Sequence, residues 1–149
     1  AASDVYKRQI AQTRDYTLFS RLMSTAWEID VDKIIPKNTA LVKTDFKALT
    51  SALERVQILA STETQPVKMS LSRDAIELSV RTTIGSATDS VTGETDSDLV
   101  IGINARYLVG VLKAAETDSF LVSSPVSPLV FKDDSSTYIL LPVRLRERI

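Results

Sequence analysis

Asp45-Phe46-Lys47-Ala48-Leu49-Thr50-Ser51-Ala52-Leu53 and Asn104-Ala105-Arg106-Tyr107-Leu108-Val109-Gly110-Val111-Leu112 carry one pattern twice. Superposed, Asp45 falls on Asn104, Lys47 on Arg106, Leu49 on Leu108, Ser51 on Gly110 and Leu53 on Leu112. Each copy runs helix cap, basic residue, core leucine, small residue, core leucine. Asp and Asn suit the cap because their side-chain oxygens accept from amides that the first helical turn leaves unpaired. In the first copy Phe46, Leu49, Leu53, Val56 and Ala60 recur at steps of three and four and form one apolar stripe. Lys47, Ser51 and Glu54 lie on the opposite face, with Arg55 at its edge. The second helix is expected from Ala105 to about Glu116, with Leu108, Val111, Leu112 and Ala115 inward and Arg106, Gly110 and Lys113 outward. That outer face holds only basic and small residues. It is either a solvated surface or one that can approach a phosphate backbone.

Strands flank each helix. Residues 39–43 precede the first, and residues 67–71 and 75–80 alternate as a hairpin across Ser72-Arg73-Asp74. A weaker strand covers 86–91, and Thr92-Gly93-Glu94 reads as a turn before a strand at 99–103. Past the second helix come strands at 119–123, 129–131 and 138–141, the first two joined by the stiff turn Ser124-Pro125-Val126-Ser127-Pro128. Two strand–helix–strands units predict an α+β fold with two adjacent helices backed by antiparallel sheets. Pro142 has no amide hydrogen, so strand pairing should stop there. The tip beyond it, Val143-Arg144-Leu145, either frays or joins Leu141 as one wall of a surface groove. Ile58 falls opposite the first apolar stripe at ~100° per residue, with Leu59 on its flank. It marks either a contact surface or a single exposed apolar residue.

The upstream end reads differently. Residues 1–9 have no periodicity and are expected to be unstructured or foreign. Residues 16–22 form a strand, an irregular connection follows, and Ile34-Ile35-Pro36-Lys37-Asn38 is a turn and a domain boundary. One strand is too little for a domain, so a truncated chain is expected: 10–38 as the end of a preceding domain plus linker, 39–145 as the main domain, 146–149 as a tail. A length of 149 residues with 44% hydrophobic and 25% charged side chains suits that division. The net charge of −1 gives no overall attraction to nucleic acid, so any such contact needs charge segregated onto one face. The chain has no Cys and no His, which removes disulfides, thiolate sites, zinc hydrolysis and Ser-His-Asp catalysis. Asp89, Glu94, Asp96 and Asp98 lack the ligand spacing of a calcium loop and read as a solvated hairpin. No catalytic residue, metal site or cofactor is expected. With no apolar run of membrane-spanning length, a cytoplasmic protein is the default.

Three segments together resemble the β subunit of bacterial DNA polymerase III, the DNA sliding clamp family. They are Ile34-Ile35-Pro36 after Ser20-Arg21-Leu22, Ala52-Leu53-Glu54-Arg55-Val56-Gln57-Ile58-Leu59-Ala60, and Ile101-Gly102-Ile103-Asn104-Ala105-Arg106-Tyr107-Leu108 with the terminal Leu141-Pro142-Val143-Arg144-Leu145. The resemblance covers roughly residues 17–145. It implies a non-catalytic processivity factor whose subunits, three similar domains each, close as a homodimer around duplex DNA, helices inside and sheets outside. Weak, non-specific attraction would then suit sliding. By that resemblance Lys47, Arg55, Arg106 and Lys113 face the hole. Ile58 and Leu59 meet the neighbouring subunit, supported in the family by acids of which residues 82–90 keep only Asp89. The resemblance also implies a groove for short linear peptides of DNA polymerase III and other polymerases, the clamp loader and repair proteins. Its matching positions are Lys33 and Ile34, Asn104 and Tyr107, Val126 and Pro128, and the run Ile139, Leu140, Leu141, Pro142, Val143, Arg144 and Leu145. The chain departs from the family at Glu28-Ile29-Asp30-Val31, at Thr64 and in the extension 146–149. The competing expectation is a stand-alone peptide-binding module without a ring or DNA.

Overall fold

The computed structural model describes residues 8–22, 30–60 and 65–145. The family departures at Glu28, Ile29 and Thr64 and the tail 146–149 lie outside them. The chain separates into two compact units, residues 1–31 and 32–149.

The first unit is an antiparallel hairpin of β1 (Arg8–Gln12) and β2 (Thr17–Arg21), in register from Arg8 opposite Arg21 to Gln12 opposite Thr17. The Thr13 amide donates to the Tyr16 carbonyl at 2.8 Å, and the Tyr16 amide donates to the Thr13 hydroxyl at 3.1 Å. Two expectations are corrected here. Arg8 and Gln9 belong to a strand, and among the described residues two strands rather than one precede Ile34. Both strands are exposed along their whole length, so no buried face imposes an alternation that the sequence could display.

A short helix, α1 (Val31–Ile34), stands at the junction, in what reads as an irregular connection. The first copy of the repeat is β3 (Ala40–Thr44), α2 (Phe46–Val56), β4 (Val67–Ser72), β5 (Ala75–Arg81) and β6 (Ser86–Thr95). The second is β7 (Leu99–Ile103), α3 (Ala105–Ala114), β8 (Ser119–Val122), β9 (Leu129–Lys132) and β10 (Thr137–Leu140). The fold is α+β, as the repeat predicts. The strands join antiparallel in the order β10-β9-β8-β3-β6-β5-β4-β7. The copies interlock, because β3 pairs with β8 and β7 with β4. Alternate residues Val67, Met69 and Leu71 on β4 and Ile76, Leu78 and Val80 on β5 are buried in one core with Leu49 and Leu53 of α2 and Leu108 and Leu112 of α3.

Both helices start where the repeat puts them. The Asp45 carboxylate accepts from the amides of Lys47 at 2.8 Å and Ala48 at 3.3 Å. The Asn104 side-chain oxygen accepts from those of Arg106 at 3.1 Å and Tyr107 at 3.4 Å. Asp45→Ala should therefore cost about 1 kcal/mol in urea unfolding, with the midpoint lowered and the slope unchanged. An unshifted midpoint would show that solvent serves those amides equally well. At the other end α3 stops at Ala114, short of the expected Glu116, because Ala115 turns extended with φ −78° and ψ 129°. The Tyr138 hydroxyl on β10 donates to the freed Ala114 carbonyl at 3.3 Å.

Thr92-Gly93-Glu94 is not a turn. It continues β6, whose first part pairs with β5 and whose last residues, Gly93 to Thr95, pair with Thr44 to Val42 on β3. Gly93 has no positive φ; it is required for space, since a Cβ there would lie 2.7 Å from Cγ1 of the fully buried Ile76. A glycine that reads locally as a bend marks a close approach inside the sheet.

Candidate functional site

Three surfaces collect the residues singled out in the sequence. The first lies where the chain leaves β10. Leu140 is buried and packs in the core, so its side chain does not line a surface, which corrects its inclusion in a groove. Ile139 is half-buried, and Leu141, Val143, Arg144 and Leu145 are exposed beyond it, with Pro142 half-buried between them. Pro142 does not release this stretch altogether, as the Val143 amide donates to the Gly102 carbonyl on β7 at 2.8 Å. Leu145 packs over the same glycine. Pairing of Leu140 with Leu129 sets Pro128 across from Leu141, one step beyond the last ladder pair. Val126, in the same turn, is exposed, and that turn is fastened by the Ser127 amide donating to the Ser124 carbonyl at 3.2 Å. Tyr107 stands exposed on the first turn of α3, next to the capping Asn104 that follows β7. Lys33 is exposed and Ile34 half-buried on α1. The end of β7, the start of α3 and the terminal stretch thus converge, with apolar side chains and backbone groups as their chemistry.

The second surface is the outer side of the helix pair, separated by an open cleft of about 1080 Å³. Lys47 and Lys113 line that cleft, and Lys47, Arg55, Arg106 and Lys113 are all exposed. Taken alone, the outer face of α3 bears no acid, but α2 supplies one. Lys113 Nζ meets Glu54 Oε1 at 2.7 Å, joining two positions 59 residues apart. Arg55 Nε donates to Asp89 Oδ2 on β6 at 2.6 Å. The Arg55 hydrogen bond holds the Asp89 carboxyl below the ordinary carboxylate range, with partial desolvation opposing it and the Ser90 amide helping. With a folded-state pKa depressed, the tie from α2 to β6 is present above the ordinary carboxylate range and is lost as pH falls through the lowered value. Lys113 and Arg55 therefore have acidic partners within the chain. Sequence periodicity could not reveal this, because each pair joins different elements.

The third surface is the end of α2. Ile58 is 75% exposed, whereas Leu59 is half-buried against the core, so the two residues are not equivalent. The β5–β6 turn comes up beside Leu59, with Gly85 facing its Cδ1, and carries Ile84, which is 79% exposed. Ile84 escaped sequence reasoning, since a lone apolar residue in a polar turn has no period to mark it. Asp89, the one acid kept from residues 82–90, is engaged by Arg55. Among the described residues no helix is long and apolar enough to cross a membrane.

The family described as DNA polymerase III beta subunit, C-terminal domain, matches residues 32–144. The beta sliding clamp of Synechococcus elongatus is 29% identical over 147 residues, covering 92% of this chain and 39% of its own length. That of Rickettsia bellii is 29% identical over 135 residues, covering 78% and 35%. Among solved structures, the DNA polymerase III beta subunit of Thermotoga maritima superposes with a TM-score of 0.77 at 26% identity, over 95% of this chain and 40% of that one. The Bartonella birtlesii sliding clamp bound to griselimycin gives 0.75 at 26%, over 87% and 37%. The chain therefore spans 35% to 40% of the length of these relatives.

Proposed function

This chain belongs to the DNA polymerase III beta subunit family by its C-terminal domain, and we propose from that premise that it is part of a sliding clamp that encircles duplex DNA and tethers a polymerase. The observation that carries the reading is the family match over residues 32–144, which coincides with the doubled β-α-β-β-β unit. The reading is non-catalytic: the clamp holds its cargo by topology, so it needs neither tight nor sequence-specific DNA contact. The hairpin ahead of α1 is the end of the preceding domain, and residues 39–145 are the C-terminal domain. The complete protein is a homodimeric ring in the cytoplasm.

The residue roles rest on the family resemblance. Lys47, Arg55, Arg106 and Lys113 line the hole, and Glu54 and Asp89 temper them enough to permit sliding. Ile58, Leu59 and Ile84 face the next subunit. The groove formed by Lys33, Ile34, Asn104, Tyr107, Val126, Pro128, Ile139 and the stretch from Leu141 to Leu145 receives a linear peptide through apolar anchors and backbone bonds. DNA polymerase III and other polymerases, the clamp loader and repair proteins are its users. A synthetic linear peptide with apolar anchor side chains is the probe for that groove.

The test of encirclement uses the complete protein loaded on nicked circular DNA and passed over a sizing column in high salt. Clamp should elute with the circle and leave it once the DNA is cut to a linear form. Equal retention on circular and linear DNA would overturn the ring and favour a module that only binds peptides.

A further inference from the structure

We infer that Gly102 is the positioning residue of the partner groove: its missing side chain lets the stretch from Leu141 to Leu145 dock on β7 and so sets the wall that a peptide meets. The inference rests on the groove reading above and adds to it a residue that touches no peptide.

The repeat exposes the anomaly. Gly102 occupies in β7 the place that Lys43 occupies in β3, one residue before Thr44 and Ile103 and two before the caps Asp45 and Asn104. Lys43 pairs with Glu94 of β6 in an ordinary ladder that tolerates a side chain on each residue. At Gly102 the opposing backbone comes closer. A Cβ there would lie 2.1 Å from the Val143 carbonyl oxygen and 3.0 Å from Cγ and Cδ2 of Leu145. Real Cβ atoms essentially never approach within 3.0 Å, so the gap must open by about 0.9 Å, the difference between 3.0 and 2.1. The obstructing atom is backbone and cannot rotate away. The same approach lets the Val143 amide reach the Gly102 carbonyl at 2.8 Å.

Conformation does not explain the glycine, since no glycine among the described residues has a positive φ. Alanine can adopt the Gly102 backbone, and the loss of chain entropy on folding would even be smaller. The cost of a side chain therefore falls on the docked stretch, which presents Leu141 and Val143 outward. Close backbone approach is a characteristic use of a glycine within a strand. Binding geometry tolerates little more than about 0.5 Å of error, so the required shift is enough to matter.

The experiment compares Gly102→Ala, Gly102→Val and the control Gly110→Ala in the complete protein. Gly110 is exposed on α3, and a Cβ added to it would meet nothing within 4 Å. Amide exchange of the segment holding Val143, calorimetric affinity for a synthetic linear peptide with apolar anchor side chains, and thermal midpoint are read together. The expected result is loss of Val143 protection and at least a tenfold fall in affinity for Gly102→Ala, larger for Gly102→Val. The thermal midpoint should change little, and Gly110→Ala should bind like the unsubstituted protein. Lost protection with unchanged affinity would overturn the inference, and so would retained protection in Gly102→Val. If the unsubstituted protein fails to bind the apolar-anchored linear peptide, the groove reading fails, and Val143 exchange alone still decides whether Gly102 places the stretch.

Discussion

Phe131→Ala is expected to lower the stability of the C-terminal domain by about 3–5 kcal/mol, the upper range for a single core truncation. Phe131 is fully buried on β9. Its ring stacks on Phe120 with centroids 5.1 Å apart and an interplanar angle of 27°, and meets Phe46 edge-on at 6.0 Å and 71°. Register explains the first contact: Leu121 pairs with Val130, so Phe120 and Phe131 are cross-strand neighbours on one face. Phe46 opens α2, which makes Phe131 the joint between the first helix and the second copy's strands. Truncation removes the transfer energy of a large ring, leaves a cavity, and forfeits two aromatic pairs worth about 0.5–1.5 kcal/mol each beyond area. Since a domain holds only about 5–15 kcal/mol in total, the variant should unfold at much lower denaturant. Chemical denaturation of the variant, with Phe131→Leu beside it as a milder change, measures this. A loss below about 1 kcal/mol would mean that the trio is not a shared core.

If the complete protein is the proposed dimeric ring, Ile58→Asp is expected to convert it to monomers while leaving the fold of this domain within about 0.5 kcal/mol of the original. The side chain is 75% exposed and contributes little to its own domain, so any large effect must come from a partner. Burying an unpaired carboxylate at an apolar contact costs at least about 2 kcal/mol, or some 30-fold in dimer affinity. Leu59→Asp is a poorer test, because Leu59 also packs on the core and its replacement would weaken the domain itself. Arg55, the nearest cation before it in the chain, cannot readily offset the new carboxylate, being engaged by Asp89 at 2.6 Å. Sedimentation across a concentration series reads the outcome, and an undisturbed dimer would remove Ile58 from the subunit contact.

Much of the fold is legible in the sequence because its signals are local. Asp45 and Asn104 cap their helices with side chains that reach only two or three residues ahead. Alternation along β4 and β5 states which face is buried, and the doubled helix pattern states that the unit repeats. Two of the misreadings share one cause, namely that the deciding partner is remote. Gly93 reads as a bend until β3 and Ile76 stand beside it. Lys113 reads as an uncompensated cation on α3 until α2 brings Glu54 within 2.7 Å. Arg8 and Gln9 carry no pattern because an exposed hairpin buries no face to demand one.

The candidate site divides the same way. Periodicity and caps act over one or two helical turns, so the α+β class, the two capped helices, the repeat and the family resemblance are all written in the chain itself. So is the run Leu141-Pro142-Val143-Arg144-Leu145 as a stretch that leaves the sheet. Where that run goes is settled by tertiary contacts alone. Leu140 is withdrawn into the core, and Val143 is bonded to a glycine 41 positions earlier (143 minus 102). Steric fit between distant backbones leaves no mark on local pattern except the absence of a side chain, and a glycine alone does not say what it makes room for.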